Sequence, residues 1–316
     1  MASEKEGKMR QGQGKFGKSL GVIIRLWYWL KIFTEGQRIR DKLILFPGTI
    51  FRIAGYLLRP PSVADRLDTI RSTRKPFISN AYCAISKVHC ILSRPVFDVI
   101  MENHDGKFLC RKGTDDARFA AEAYEYPLQK YFNKITQGVF VDVGSNIGKY
   151  AIKVANQLGT NGRVVAIEPE PSNFEMLTAN VELNGLSNTT LLNVACWNKN
   201  ERLKLCLGPG FKGTGAHSVK YHRSEDFIEV TASKLDDILK DLLIEHVDLM
   251  KIDVEGAEGE VLEGAEESLA ENPHLKIIFE ATDSNNLAKC REVLGRHGFT
   301  LTPIANIKDY YHARKA

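Results

Sequence analysis

The sequence lacks the cysteine patterns that build metal sites. Its six cysteines are scattered along 316 residues, with no Cys-x-x-Cys pair and no His/Cys spacing typical of metal ligands. Isolated cysteines of this kind are typical of reduced, mostly buried thiols in an intracellular protein. The pattern therefore argues against a structural zinc site, and we expect no resident metal.

Long apolar runs are also missing. The two most apolar stretches, 20–33 and 43–58, are interrupted by Arg25, Lys31 and Arg52. Both fall short of the roughly 18 uninterrupted apolar residues that mark a membrane span. A secretory signal fits poorly as well, because no small-residue cleavage site follows the first run. We therefore expect a cytoplasmic protein.

A basic surface of the kind that binds nucleic acid is absent beyond the N-terminal part. The net charge of +4 is unevenly spread: residues 1–60 hold 12 Lys and Arg against 4 Asp and Glu, and the rest hold 31 against 35. The basicity therefore belongs to the N-terminal part, and we expect no nucleic-acid partner.

That N-terminal part divides in two. Residues 1–19 are nearly devoid of apolar side chains, which predicts a disordered tail, and residues 20–95 are expected to form a helical extension. Trp27 and Trp29, with basic residues on both sides, suit a bilayer interface. Packing of these helices on the rest of the chain or on a second copy explains them equally well. Residues 20–58 are thus expected either to contact a membrane peripherally or to pack.

The stretch 139–148 predicts a strand, a glycine turn and a helix. Val139 to Val143 is an apolar run containing one acid, Asp142, and it breaks into Gly144, Ser145, Asn146 and Gly148. A helical pattern then runs to Gly159. In this arrangement a backbone turn approaches a ligand closely at a helix N-terminus.

The next unit repeats the order. Residues 164–167 are a second buried strand, and Glu168 and Pro169 follow at its carboxyl end. Ser172 and Glu175 predict a capping box for a helix that ends at Gly185. An acid 20 positions after Gly148 is placed to accept hydrogen bonds from a ribose diol. The first βαβ unit is therefore expected to bind an adenosine-type ligand.

The identity of that ligand follows from details of the turn. The dinucleotide pattern Gly-x-Gly-x-x-Gly is absent, and an acid precedes the first glycine by two, as in S-adenosylmethionine sites. The sulfonium and ammonium of that cofactor suit nearby acids. A Tyr-x-x-x-Lys reductase signature occurs only at Tyr126 to Lys130, before the turn. S-adenosylmethionine is favoured over nicotinamide or a ligand-free turn.

Residues 96–316 are expected to form one domain around this unit. A β-hairpin is predicted across the turn at 104–106, and a helix over 117–132 leads to the first core strand. Glu122, Tyr124 and Glu125 of that helix either reach the cofactor site or form a solvated face.

Residues 190–196 predict a third strand, whose end near Ala195 is where such a fold holds an adenine ring. Strands are also expected at 202–207 and 227–230. The glycine-rich segment 208–218 between them predicts a mobile lid or substrate loop. His217 and His222 are candidate bases or metal ligands there, although a lone loop histidine is more often neither.

A charged cluster ends the fourth predicted strand, 247–254. Alternation places Lys251, Asp253 and Glu255 on one side if the chain stays extended. Buried charges are costly unless they are paired. The cluster is either a buried ion pair, with Lys251 bound to a carboxylate such as Glu280, or a polar site at the carboxyl end of the sheet. A divalent cation that bridges Asp253, Glu255 and Glu280 is a weaker alternative.

The remaining elements are a helix over 258–269, a strand over 275–280, an amphipathic helix over 287–297 and closing strands at 299–301 and 304–310. No internal repeat is visible.

Four motifs together resemble the FkbM-type S-adenosylmethionine-dependent methyltransferases. They are Asp-Val-Gly-Ser-Asn-Ile-Gly at 142–148, Ile-Glu-Pro at 167–169, Asn180 with Asn184-Gly185, and Lys-Ile-Asp-Val-Glu-Gly at 251–256. The likeness runs from about residue 96 to the C-terminus, and the last motif is the most specific. It implies an α/β class I methyltransferase fold, with a seven-stranded mixed sheet, helices on both faces and an antiparallel last hairpin strand.

The resemblance also implies O-methylation of a sugar, glycolipid or natural-product hydroxyl. We assign Asp142, Gly144, Asn146 and Gly148 to the methionine part of the cofactor, with Ser145 in the same turn. Glu168 and Pro169 are assigned to the ribose end, and Ala195 to the adenine end. Asp253 and Glu255 are the candidate catalytic residues. Protein or amine N-methylation, and non-catalytic cofactor binding by a module recruited to a membrane or partner, are the alternatives.

Overall fold

The computed structural model describes residues 94–95, 97–208, 215–221 and 225–315. The predicted tail and almost all of the predicted helical extension lie outside the described residues, including the stretch expected to contact a membrane or to pack. So do most of the glycine-rich segment and His222. Within the described ranges, no helix combines the length and apolar character needed to cross a bilayer.

The strands and helices are numbered along the chain. The strands are β1 Val99–Asn103, β2 Gly106–Cys110, β3 Gly138–Val143, β4 Gly162–Ile167, β5 Thr189–Leu192, β6 Ala195–Cys196, β7 Glu201–Cys206, β8 Phe227–Ser233, β9 Leu249–Ile252, β10 Lys276–Glu280, β11 Phe299–Pro303 and β12 Tyr310–Lys315. The α-helices are α1 Asp116–Ala120, α2 Gln129–Phe132, α3 Lys149–Leu158, α4 Pro171–Leu183, α5 Leu235–Asp241, α6 Glu258–Glu263, α7 Glu266–Glu271 and α8 Ser284–Arg296. Two 3₁₀ turns span Tyr126–Leu128 and Gly159–Asn161.

A seven-stranded mixed sheet forms the centre, in the order β11-β12-β10-β9-β3-β4-β5. Strands β5, β4, β3, β9 and β10 are parallel, and β12 is antiparallel to both of its neighbours. This is the strand order of class I methyltransferases, so the predicted fold class is confirmed. The carboxyl ends of the parallel strands share one edge, where open α/β sheets bind ligands.

Helices cover both faces of the sheet, because its central strands are apolar on both sides. Alternate strand residues point in opposite directions: Phe140 packs with α3 and α4, whereas Val141 packs with α5 to α8. This alternation places Asp142 on the same face as Phe140, directly beside Lys251 of the neighbouring strand.

The β1–β2 hairpin is fastened to α4 by two asparagines. The Oδ1 atoms of Asn180 and Asn184 accept the N–H groups of Leu109 (2.6 Å) and Lys107 (2.9 Å). Their amides donate back to the carbonyls of the same two residues. These side chains satisfy the free edge of β2 as a neighbouring strand would. The asparagines of the family-like motif therefore hold the hairpin in place.

A buried charge network joins the hairpin to α3. Asp105 accepts hydrogen bonds from the Nζ atoms of Lys149 (2.6 Å) and Lys153 (2.5 Å). Lys149 also donates to the carbonyls of Ala120 and Ala121. Burial alone would raise the pKa of Asp105, but the two lysines outweigh it and lower the pKa below its usual value. The network fixes residues 120–121 against the first turn of α3.

Two predicted helix features are wrong. The expected helix over 117–132 breaks after Ala120, and Glu125 is left-handed (φ 48°) before the 3₁₀ turn that contains Pro127. Proline lacks an N–H and starts helical turns rather than continuing them. For the same reason α4 begins at Pro171, and Glu170, not Ser172, caps it by accepting the Asn173 N–H (2.7 Å).

The predicted third strand ends early. The chain leaves the central sheet after Leu192, and Ala195 and Cys196 pair with β8 in a separate sheet of order β6-β8-β7. The break occurs because the Asn193 amide donates to the carbonyls of Glu168 and Pro169, which turns the chain across the end of β4. The two added strands are confirmed as β7 and β8.

Later boundaries also shift. The strand predicted over 247–254 ends at Ile252, and the helix predicted over 258–269 divides at Gly264, where a Cβ would overlap the Trp197 carbonyl. The last strand begins at Tyr310 instead of 304, because the intervening residues turn through left-handed Asn306 and Asp309. The hairpin, β4, β10 and α8 are confirmed.

Candidate functional site

A cleft lies at the carboxyl ends of β3, β4, β9 and β10. Its volume is about 1050 Å³, including space open to solvent. Nine predicted site residues line it, namely Asp142, Gly144, Ser145, Asn146, Glu168, Pro169, Ala195, Asp253 and Glu255. Gly148 does not belong to the lining; it precedes α3 and its Cβ position lies 2.8 Å from Leu177 Cδ1.

The turn after β3 is bound tightly to β4. The Ile167 carbonyl accepts the N–H groups of Gly144 (2.9 Å) and Ser145 (3.0 Å). Ser145 Oγ donates to the Asp142 carbonyl (2.7 Å) and accepts the Ile167 N–H (3.0 Å). Gly144 and Asn146 have positive φ, a conformation that is unfavourable for most side chains. The Ser145 hydroxyl is therefore committed to shaping this turn.

Asp142 presents a buried carboxylate to the cleft. Only 1 % of the residue is exposed, and neither carboxylate oxygen has a hydrogen-bond partner within the part of the chain that the structure describes. Burial raises the pKa of Asp142 to about 6, against the opposing effect of Lys251. Unsatisfied buried acceptors are rare in folded proteins and call for a ligand donor or water. Asp142 is thus suited to hold a cationic or hydrogen-bonding group of a ligand.

Glu168 is held at the end of β4 by backbone donors. Its carboxylate accepts the N–H groups of Asn146 (2.8 Å) and Glu170 (3.0 Å). Burial raises the pKa of Glu168 to about 7, although these hydrogen bonds oppose the rise. The carboxylate therefore bridges the glycine turn and the loop after β4, in the wall of the cleft.

Beyond Glu168 the cleft becomes apolar. Ala195, Cys196, Leu205 and Val219 line this end together with His217. The Nδ1 atom of His217 accepts the Gly208 N–H at 3.1 Å, and burial lowers the pKa of the imidazole. A neutral histidine whose Nδ1 is already occupied contributes a flat ring to this wall. Ala195 and Cys196 lie in β6 and Leu205 lies in β7, two strands of the separate three-stranded sheet.

The charged cluster after β9 is an ion pair within one turn. Lys251 Nζ lies 2.9 Å from Asp253 Oδ2, so the partner of Lys251 is Asp253 and not Glu280 as the alternative proposed. Burial lowers the pKa of Lys251, but the carboxylates of Asp253, Asp142 and Glu125 outweigh it and raise the pKa. The chain does not stay extended: Glu255 is left-handed (φ 55°). Asp253 and Glu255 nevertheless both reach the cleft.

The sequence left the role of Glu125 open and did not predict the residues that bind it. Glu125 accepts hydrogen bonds from the hydroxyls of Tyr150 (2.7 Å) and Tyr310 (2.6 Å) and lines the cleft. Burial, reinforced by Asp253, Glu125 and Glu255, raises the pKa of nearby Glu280 to about 9. No local pattern could reveal this group, because 185 positions separate Glu125 from Tyr310.

Across the residues that the structure describes, no three His, Cys, Asp or Glu side chains are arranged to hold a metal ion. What the cleft offers instead is one unpartnered carboxylate, an acidic wall with tyrosines and an apolar end.

Comparisons with known proteins find methyltransferases. A family model described as the methyltransferase FkbM domain matches residues 142–301. Methyltransferase 1 of Beauveria bassiana is 25% identical over 183 residues, which cover 51% of this chain and 72% of that protein. Methyltransferase sdnD of Sordaria araneosa is 25% identical over 191 residues, covering 51% and 73%.

A similar solved structure carries a related name. The crystal structure of methyltransferase FkbM from Methylobacillus flagellatus is 18% identical, with a TM-score of 0.41. The match covers 57% of this chain and 45% of that one, so this chain spans less than half of that structure.

Proposed function

Because the chain belongs to the FkbM methyltransferase family, in which S-adenosyl-L-methionine is the cofactor, we propose that it methylates a hydroxyl oxygen. The acceptor class that we propose is a sugar, a glycolipid or a hydroxylated natural product. The observation that carries the proposal is the position of Asp253: it is paired with Lys251, is 21% exposed, and lines the same cleft as the glycine turn.

The cleft residues fit the cofactor. Asp142 supplies a buried carboxylate in need of a donor, suited to the α-ammonium group, and Gly144 allows the backbone to approach closely. Glu168 is the candidate acceptor for the ribose hydroxyls, and Ala195 with its apolar neighbours suits the adenine ring. When bound, S-adenosyl-L-methionine supplies a methyl group on a good leaving group.

The main contribution of the protein is then alignment and removal of a proton. Correct placement of two reactants is worth up to about 7–11 kcal/mol in favourable cases. Asp253 is the proposed base, because its carboxylate is oriented by Lys251 and remains accessible from the cleft. A positioned base typically adds about 10²–10⁴-fold to the rate. Glu255, on the same turn, is proposed to bind the acceptor.

The composition of the wall supports a hydroxylic acceptor. Glu125, Asp253 and Glu255 offer carboxylate oxygens to hydroxyl donors, while Phe119 and Tyr124 offer aromatic faces. A negatively charged wall disfavours phosphate or carboxylate acceptors, because like charges repel in a partly desolvated cleft.

The experiment uses S-adenosyl-L-methionine with a labelled methyl group and three probe classes: octyl β-D-glucopyranoside, glucuronic acid and a lysine-rich peptide. Transfer is expected to the neutral glucoside class and not to the acid. Asp253→Asn is expected to lower kcat about 10²–10⁴-fold without changing cofactor affinity. Asp241→Asn, an exposed carboxylate outside the cleft, is the matched control. Label only in the peptide, with little effect of Asp253→Asn, would favour amine methylation and overturn the proposal.

A further inference from the structure

The turn that carries Asp253 and Glu255 has an unusual backbone. Glu255 has a φ of 55° and the next residue, Gly256, has a φ of 102°. The left-handed region is unfavourable for a residue with a Cβ, and it persists only where the surroundings impose it. Something outside the cleft must therefore hold this turn.

Glu258 binds the backbone of this turn from outside the cleft. The residue is only 1% exposed and does not belong to the cleft lining. Its Oε1 atom accepts the N–H groups of Val254 (3.0 Å) and Gly256 (3.2 Å), one on each side of Glu255. Because one oxygen atom accepts both backbone donors, the turn is fixed on each side of Glu255.

Asn286 in turn orients Glu258. Its amide Nδ2 donates to Glu258 Oε2, and its Oδ1 accepts the Gly259 N–H at 3.0 Å. The amide orientation of Asn286 is therefore set, because each of its two polar atoms has a specific partner. Asn286 lies in the first turn of α8, where Asp283 caps the helix. The chain of contacts thus ties the turn after β9 to α8.

A second contact holds the same turn from the other side. Ser218 Oγ donates to the Glu255 carbonyl at 2.7 Å and accepts the N–H groups of Lys220 and Tyr221. The Tyr221 ring lies where a Cβ on Gly256 would be. The turn is therefore clamped between residues 218–221 and Glu258.

We infer that Glu258 and Asn286 form a positioning pair that sets the place of Asp253 and Glu255 in the cleft. The inference rests on the proposed function, because it takes Asp253 as the group that acts on the acceptor. Glu258 touches neither substrate nor cofactor on this account and acts only through the backbone of the turn.

The test exchanges the hydrogen-bonding partners. Glu258→Gln keeps an oxygen for the two backbone donors but turns an amide N–H toward the Asn286 amide, so two donors face each other. Asn286→Asp makes two carboxylates face each other. The double variant Glu258→Gln/Asn286→Asp restores one donor and one acceptor with the charge transposed. If Glu258 acted only through its negative charge, the double variant, which has no charge at position 258, would not recover the wild-type behaviour.

The first readout needs no acceptor. Hydrogen exchange of the Val254 and Gly256 amides is measured in the S-adenosylhomocysteine complex. Each single variant is expected to speed exchange by about tenfold, as one lost hydrogen bond allows, while the Met250 amide in β9 is unaffected. The double variant is expected to return toward the wild-type rate. Unchanged exchange in both single variants, or a double variant no better than the singles, would overturn the inference.

The second readout is turnover of whichever hydroxyl probe the wild-type protein methylates. Single variants are expected to lower kcat by about 10²-fold, the scale of a small misplacement, with cofactor affinity retained and kcat recovered in the double variant. Asp253→Asn is run in parallel. If kcat falls in Asp253→Asn but not in Glu258→Gln, only the positioning role of the pair is overturned. If Asp253→Asn is fully active, the proposed function itself is overturned. If the single variants fail to fold, Asn286→Ala removes the amide that orients Glu258 without opposing two like groups. It is expected to lower kcat with cofactor affinity retained, and an unchanged kcat would overturn the inference.

Discussion

Gly144→Ala probes the close packing between the cofactor turn and the turn after β9. Gly144 has a φ of +80°, and a Cβ built there would overlap the carbonyl oxygen of Asp253 and lie 2.9 Å from its carbon. A left-handed alanine costs about 1–2 kcal/mol, and forcing a methyl group into packed backbone costs about 1–3 kcal/mol. Backbone cannot move aside as a flexible side chain can. We therefore expect a loss of about 2–5 kcal/mol in the free energy of unfolding.

The matched control is Gly185→Ala. Gly185 has a φ of +62°, but no described atom lies within 4 Å of its Cβ position, so only the conformational cost of about 1–2 kcal/mol applies. Urea denaturation followed by circular dichroism measures both variants. The loss in unfolding free energy is expected to be about 1–3 kcal/mol larger in Gly144→Ala than in Gly185→Ala, and this difference measures the steric contribution. Equal losses in the two variants would refute the close approach of the two turns. S-adenosylhomocysteine affinity should fall in Gly144→Ala alone, since only that change displaces the cleft wall.

Other expectations concern buried charges and one helical glycine. Asp142→Asn is expected to weaken S-adenosylhomocysteine binding about 10–100-fold by calorimetry, as loss of a charged acceptor does; unchanged affinity would remove Asp142 from the site. Because burial raises the pKa of Glu168 to about 7, ligand affinity should fall as the pH drops below 7, by at most about tenfold per unit. In Glu168→Gln this step should disappear, and its persistence would assign the titration elsewhere. Asp105→Asn removes the carboxylate that both buried lysines bind and should cost about 3–5 kcal/mol in urea denaturation; a loss below 1 kcal/mol would contradict a buried network. Gly295→Ala, in α8 with open space around its Cβ position, should stabilise by about 0.5–1 kcal/mol; a lower melting temperature would contradict this.

The parts of the fold that sequence predicted well are those with local signals. Residues 139–148 combine an apolar run, a glycine turn and a helical period within one short stretch, and the structure has strand, turn and helix there. Glu168 could be placed at the cleft because an acid was expected at the end of the second strand, at a characteristic spacing after the turn. Both predictions depended only on residues that lie close together in the sequence.

What sequence missed depends on distant partners. Asn193 ends β5 because its amide finds carbonyls after β4, and no propensity could signal that contact. Glu125 sits in a left-handed turn whose carboxylate is held by two tyrosine hydroxyls, one of them in the last strand. The cap of α4 was misplaced because Pro171, a good first helical residue, moves the helix start before Ser172. For Asn193 and Glu125 a tertiary contact outweighs the local preference, whereas the start of α4 is set locally by Pro171 and Glu170.

The central claim is that the glycine turn, Asp142 and Glu168 form an S-adenosyl-L-methionine site. It is tested most directly by the melting temperature with S-adenosylhomocysteine, S-adenosylmethionine and NADH in parallel. At about 100 times the dissociation constant a ligand adds roughly 2.7 kcal/mol, which corresponds to about 5–10 °C for a domain of this size. The account expects this shift with both adenosyl compounds and none with NADH. No shift with either adenosyl compound, or a shift with NADH alone, would contradict it.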